Sequence, residues 1–443
     1  MAIAKADTAH DTTVARDKSP AAGDRDLSTA TADRFRDELG SVFGKPGQDS
    51  TRLAKAETGN RTDAGDRTPE RVSDKTFRDC ATANGLDTRN TPDGKLEFSL
   101  KNNGEKLTIG TVDKTREGFR EIDRTLKEMT SLKQLEIENK YGVKFAQPGD
   151  PKPRQQVEND TSGKQGKELD VRNPKLRELL GVEAALAKAN PSHTTGDGGK
   201  PLKFYFLKDQ SFSPNAGGAA AFEPNVHGSP AVIVDPGSMD RSPITERDRT
   251  DKRTDDHRSI ESLMIHELGH HTEEKAFKNP AEKAEFYKGM GWSPIPGSKP
   301  EDNQWMINGR DGRGYAPGGI NPNSNWQRID NRGQVTGAVN PDRVERLAPV
   351  KPATNYFEGP HEMLAEGLTM LRLGDGHRSH LMQRDNKLYG MIKGLDQKEI
   401  DMAHGPGRFM RSYDGRLQAR SPEAERALLE REEAARARRP VNR

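Results

Sequence analysis

The sequence predicts an α+β fold in which a small mixed sheet is packed by amphipathic helices, two of them bearing the residues of chemical interest. Three observations lead to it. Residues 96–109 alternate apolar and polar side chains about a turn, as a hairpin does. Residues 203–207, 217–224 and 231–236 are short apolar runs bounded by Gly, Pro or Asp, and several longer stretches repeat their apolar residues at three and four positions. The 443 residues are 31% hydrophobic against 32% charged, so part of the chain has too little apolar surface to join a core.

That part is residues 1–70, where a few large apolar side chains are scattered among Asp, Arg, Thr, Gly and Ala. Burial there cannot offset the entropy of ordering, and the region is expected to be disordered, apart from a short helix at TADRFRDELGSVF with Phe35 and Leu39 at i, i+4. Its start, MAIAKADTAHDTTVARDK, lacks the apolar stretch of a secretory signal peptide. No apolar run reaches the roughly 18 residues of a membrane span. With 71 basic and 69 acidic residues the net charge is +2, which gives no global field to attract nucleic acid or an anionic membrane. Cys80 is the sole cysteine, which excludes an intramolecular disulfide, a multi-cysteine zinc site and an iron–sulfur cluster.

The first ordered segment, 71–134, holds the hairpin of Leu96, Phe98 and Leu100 with Leu107 and Ile109, turned at Asn102, Asn103 and Gly104. A long helix follows over roughly 115–141, with Phe119, Ile122, Leu126 and Met129 on one stripe that Leu132 and Leu135 continue, and Gly142 as its stop. The main domain spans 135–400. It opens with a Pro-, Gly- and charge-rich loop and a helix capped by Asn173 with Pro174 at its first position. The three strand-like runs come next, then a helix over about 259–276. Residues 278–350 are rich in Gly, Pro and Asn without a sustained period. They read as an insertion with small hairpins at WMINGRDGRGY and WQRIDNRGQVTG. A strong helix begins near Pro360. The 401–443 segment reads as a polar tail, partly a solvent-exposed helix capped by Ser421 with Pro422 at its start.

The stretch LMIHELGHH carries the chemistry. His266 and His270 are i, i+4 and share a helix face, so both imidazoles can bind one zinc ion. Glu267 lies beside the first of them, where its carboxylate can take a proton from water as a general base. Roughly one random chain in fifty of this composition would show HExxH, so context matters. Ile260, Leu263, Met264 and Leu268 run an apolar stripe through the motif, and Gly269 makes sense if something passes close to the helix backbone. His271 points about 100° from His270 and is expected to face solvent. A third histidine at position 276, the metzincin pattern, is excluded by Ala276. In HEMLAEGLTMLRL, Glu362 and Glu366 are i, i+4 beside an apolar face. Stacked carboxylates there need a cation or donors, although a helix salt bridge is the plainer alternative. Glu362 is the candidate third ligand, with His361 competing, and Glu366 the carboxylate that orients a ligand imidazole.

HELGH followed by YFEGPHEMLAEGL resembles the Glu-zincin peptidases, specifically the anthrax lethal factor-like branch. Glu362 matches that family's ligand glutamate and Ala365 and Glu366 its Ala-Glu pair, while Tyr356 falls within one position of its active-site tyrosine. The resemblance, over about 135–395, implies a zincin-like metallopeptidase domain and a zinc endopeptidase. It further implies that GGAAAFEP, with Ala219, Ala220, Ala221 and Phe222, is the edge strand on which an extended peptide pairs, next to AVIVDP. One Zn²⁺ per chain is the cofactor expected, and a protein or peptide is the substrate. A polar N-terminus without a signal peptide suits a secreted bacterial effector or toxin with a secretion chaperone on that region. The alternatives are a zinc-stabilised scaffold and a cytoplasmic or phage-associated peptidase.

Overall fold

The computed structural model describes residues 70–84, 86–102, 105–155, 166–190, 194, 199–208, 220–235, 260–277, 279–318, 326–354, 357 and 359–437. The expectations for residues 1–69, and those for Ala219 and Tyr356, lie outside these residues. The architecture is α+β.

The described chain begins with helix α1 (Asp74–Ala83), whose first turn is capped by the Ser73 hydroxyl accepting the Thr76 N–H. Strands β1 (Asp87–Asn90), β2 (Leu96–Asn102) and β3 (Glu105–Val112) form an antiparallel meander. The predicted hairpin is β2–β3. Its inward set, Leu96, Phe98 and Leu100, is buried, and Phe77 of α1 packs on Phe98 and Phe119. Helix α2 (Arg116–Tyr141) ends on Gly142, whose φ of 68° supplies the left-handed cap. Its buried stripe runs Ile122, Leu126, Met129, Lys133, Ile137, whereas Leu132 and Leu135 are 55% and 54% exposed. A period of 3.6 carries the inner face through 133 and 137, and Lys133 serves there by pairing with Glu136 and Glu183. Because α2 is one continuous helix whose Ile137 enters the core of the next sheet, the boundary expected at 134/135 falls within an element.

The central sheet has β4 (Lys144–Phe145), β6 (Lys203–Leu207), β8 (Ser229–Val234) and β7 (Ala220–Val226) in that order, with β5 (Val171–Arg172) also pairing β6. The β4–β6 and β6–β8 pairs are parallel, while β7 is antiparallel to β8 and forms the sheet edge among the described residues. Strand β6 alternates cleanly: Phe204 and Phe206 face helices α3 (Leu176–Lys188) and α4 (Ile260–Ala276), and Tyr205 and Leu207 face the other side. The cap of α3 is Lys175 rather than Asn173. Glu178 reaches back to accept the Lys175 N–H and is held there by Arg172, so the helix starts after Pro174 instead of at it. Gly181 lets α3 meet α4, since a Cβ there would lie 2.6 Å from Ile260 Cβ.

The 278–350 stretch is more regular than its composition suggests. Helix α5 (Pro280–Gly289) leads into a five-stranded antiparallel meander, β9 (Trp292–Pro294), β10 (Trp305–Asn308), β11 (Gly314–Ala316), β12 (Trp326–Ile329) and β13 (Val335–Val339). The two expected hairpins are β10–β11 and β12–β13. After α6 (Pro341–Leu347) come α7 (Pro360–Leu373), α8 (Asp375–Arg384) and α9 (Asn386–His404). The 401–443 segment departs from a polar tail. Its hairpin of β14 (Phe409–Arg411) and β15 (Leu417–Ala419) and its helix α10 (Pro422–Ala437) bury Met410, Arg411, Leu428, Glu432 and Ala435. Ser421 does cap α10, but one face of that helix is buried by packing that its charge-rich sequence does not announce. Among the described residues no helix is long and apolar enough to cross a membrane.

Candidate metal centre

Helix α4 is buried on nearly every side: Ser262, Met264, Ile265, His266, Glu267, Leu268, Gly269, His271, Thr272, Glu273 and Ala276 are all buried. Polar groups so placed need partners; α7 supplies them for His266 and Thr272, and α5 for Glu273. Helices α4 and α7 touch at Gly269 and Ala365, where a Cβ on Gly269 would stand 3.0 Å from the Ala365 Cα. The predicted close approach at Gly269 is therefore this helix crossing. From that contact His266 lies three residues back and His270 one forward on α4, just as Glu362 and Glu366 do on α7. The crossing sets the two pairs face to face.

His266 Nε2 is 3.2 Å from Glu362 Oε2 and His270 Nε2 is 3.6 Å from the same oxygen. One donor atom from each of His266, His270 and Glu362 lies within 4.8 Å of the other two, a grouping that can hold a metal ion. His266 Nδ1 is engaged by Glu366 Oε1 at 2.9 Å, and the other Glu366 oxygen accepts the Thr354 hydroxyl at 2.8 Å. Glu366 thereby fixes the His266 ring with Nε2 turned to the shared centre. The imidazole planes of His266 and His270 stand 83° apart.

Burial works against charge on His266, but the hydrogen bonds to Glu362 and Glu366 outweigh it and hold the imidazole well above its ordinary range. Burial likewise disfavours a charged Glu362, and His270 and His266 reverse that, keeping its carboxyl well below the usual range. The Glu267 carboxyl is pushed up by burial, against the pull of the two histidines, and it accepts the backbone N–H of Phe222 on β7. This contact ties the residue after His266 to the sheet edge.

His271 is 3% exposed and its ring lies 4.8 Å from that of Phe222. The expectation that it faces solvent fails because the edge strand packs over α4 on that side. His361 sits beside the centre, with Nε2 3.5 Å from Glu362 Oε1 and its ring 6.0 Å from that of His270, outside the three-residue group. Gly359 makes room for it, since a Cβ there would stand 2.4 Å from the His361 ring. The start of α7 is steadied by the insertion, where Trp292 Nε1 donates to Met363 Sδ at 3.3 Å and Trp326 packs 5.1 Å from Phe357.

No family model, curated protein or solved structure matches this chain. The functional reading therefore rests on the site itself. Of the residues singled out from sequence, His266, Glu267, His270, Glu362 and Glu366 are brought together, and Ala220, Ala221 and Phe222 lie on the edge strand. Sequence reasoning missed Thr354 and the Phe222 N–H; a lone threonine in a loop and a backbone amide carry no pattern that points to a distant helix.

Proposed function

We propose that the chain is a zinc-dependent endopeptidase with a zincin-like catalytic domain, in which His266, His270 and Glu362 hold one Zn²⁺. Two imidazole nitrogens and a carboxylate oxygen are a donor set that suits zinc and leaves a position open. A zinc ion held there supplies Lewis acidity toward a peptide carbonyl and makes water more acidic. Glu267 takes a proton from the attacking water and returns it to the leaving amine. The Phe222 N–H holds the Glu267 carboxylate in place. Glu366 and Thr354 keep His266 oriented. Among the described residues no strand pairs β7 on the edge away from β8, and its backbone groups other than the Phe222 N–H, which Glu267 takes, can align an extended peptide beside Glu267.

The observation that carries this reading is the position of Glu267: a buried carboxylate between the ligand histidines and the strand edge, where it accepts the Phe222 N–H. A metal that only braces the fold has no use for such a group. The test is zinc content and proteolysis of a mixed proteome by wild type and Glu267→Gln. The variant is expected to stay folded and zinc-loaded with cleavage lowered on the order of a hundred- to ten-thousandfold. Equal cleavage by both proteins would instead favour the zinc-stabilised scaffold.

A further inference from the structure

Glu223 follows Phe222 on the edge strand. Phe222 and Ala220 pack toward α4, whereas Ala221 belongs to the opposite face of the sheet. Strand alternation therefore directs Glu223 to that opposite face, in register with Ala231 of β8. Glu223 is half-buried, and among the described residues no hydrogen bond or ion pair reaches its carboxylate. Burial pushes its carboxyl up, and among the described residues no neighbouring charge opposes it. Other buried carboxylates of the domain are satisfied: Glu366 by Thr354 and His266, Asp396 by two arginines, Glu178 by Arg172. A desolvated carboxylate without a counter-ion is costly unless its partner comes from outside.

The strand geometry indicates where that partner arrives. Successive residues of a strand turn their backbone groups to opposite edges. Phe222 sends its N–H to Glu267, away from β8, so this edge faces the candidate catalytic base. A peptide extended along it places its side chains alternately on the two faces, and the one opposite Glu223 comes within about 5 Å between Cβ atoms. We propose that Glu223 is a specificity determinant that selects Lys or Arg in the peptide, at the position adjacent to the residue lying opposite Phe222. This rests on the peptidase reading, and the salt bridge formed supplies the partner that Glu223 lacks among the described residues.

The experiment presents a terminally capped random peptide library to the full-length, zinc-loaded chain. Retained peptides are sequenced for Glu267→Gln and for the same chain carrying Glu223→Gln, and cleaved peptides for wild type and Glu223→Gln. Zinc content and thermal midpoint are matched first; removal of an unpaired charge should not cost stability, and Glu223→Lys provides a second variant. Lys and Arg should be enriched over Gln and Asn at one position, and Glu223→Gln should cut that ratio about tenfold, as expected for a charge-assisted contact. Glu223→Lys should move the preference to Asp and Glu. An unchanged ratio in both variants overturns the proposal, as does a library from which nothing is retained. Equal cleavage by wild type and Glu267→Gln sinks the peptidase reading separately, and the retained pool then still decides whether Glu223 selects basic peptides.

Discussion

His266 uses both ring nitrogens, one toward Glu362 and His270 and the other toward Glu366, and the residue-scale predictions follow from that division of labour. Replacing His266, His270 or Glu362 by Ala should abolish stoichiometric zinc, measured by elemental analysis of purified protein, because two remaining ligands cannot close a tetrahedral site. His361→Ala should keep its zinc, since that ring stands outside the three-residue group. The reverse pattern, with Glu362→Ala fully loaded and His361→Ala empty, would move the third ligand by one residue. Glu366→Ala leaves every ligand in place and removes the group that orients His266. Zinc affinity should then fall roughly ten- to a hundredfold, and a competition titration against a chelator of known affinity reads it directly.

At the scale of elements, the crossing of α4 over α7 decides whether the two ligand pairs meet. Gly269 costs α4 roughly 1 kcal/mol of helix propensity relative to Ala, yet a methyl group there would press on the backbone of Ala365 at 3.0 Å. Backbone cannot swing aside as a flexible side chain would, so the helices must separate. Gly269→Ala should therefore weaken zinc binding and lower the thermal midpoint despite its better propensity; a midpoint raised by the propensity gain, with zinc affinity intact, would show that the crossing has slack. Strand β7 contributes in a different way. It sends one backbone N–H to Glu267 and one aromatic ring over His271, so the sheet edge and α4 are a single packed unit.

Across the whole molecule, the C-terminal elements are wired into the domain by buried charge. Arg372 of α7 donates to Asp396 and Glu399 of α9 and to Thr272 on α4, while Arg411 of β14 donates to Asp396, to Asn190 and to backbone carbonyls at Lys188 and Gly415. A second centre joins Arg378, Tyr389 and Lys393 to Glu432 of α10. Truncation after His404 would take Arg411 from Asp396, which keeps Arg372, and Glu432 from Arg378, which keeps Tyr389, and removing one partner of a buried ion pair costs about 3–5 kcal/mol. The shortened chain should fail to fold, as read by circular dichroism and zinc content. Burial alone would raise the Asp396 carboxyl, but Arg411 and Arg372 outweigh it and hold the group well below the usual carboxylate range. Its pairing thus stabilises the fold above the unfolded-state pKa of about 3.9 and is lost as pH falls toward the depressed folded value. Asp396→Asn should be less stable at neutral pH and show a shallower loss of stability in acid; parallel pH curves for the two proteins would exclude this contribution.

What the sequence determined by itself is local. A 3.6 period placed His266, Glu267 and His270 on one helix and Glu362 and Glu366 on another, an alternating pattern marked the hairpin, and short apolar runs marked the strands of the central sheet. These features survive translation into structure because each depends on neighbours within a few positions along the chain. Tertiary packing decided the rest: that Glu362 rather than His361 completes the three-residue group, that His271 is covered by Phe222, that Thr354 steadies Glu366, and that α10 buries a face rich in charge. Each of these is a contact between segments distant in sequence, and the partner of a buried polar group is chosen by which surfaces meet, a choice that periodicity along one segment does not encode.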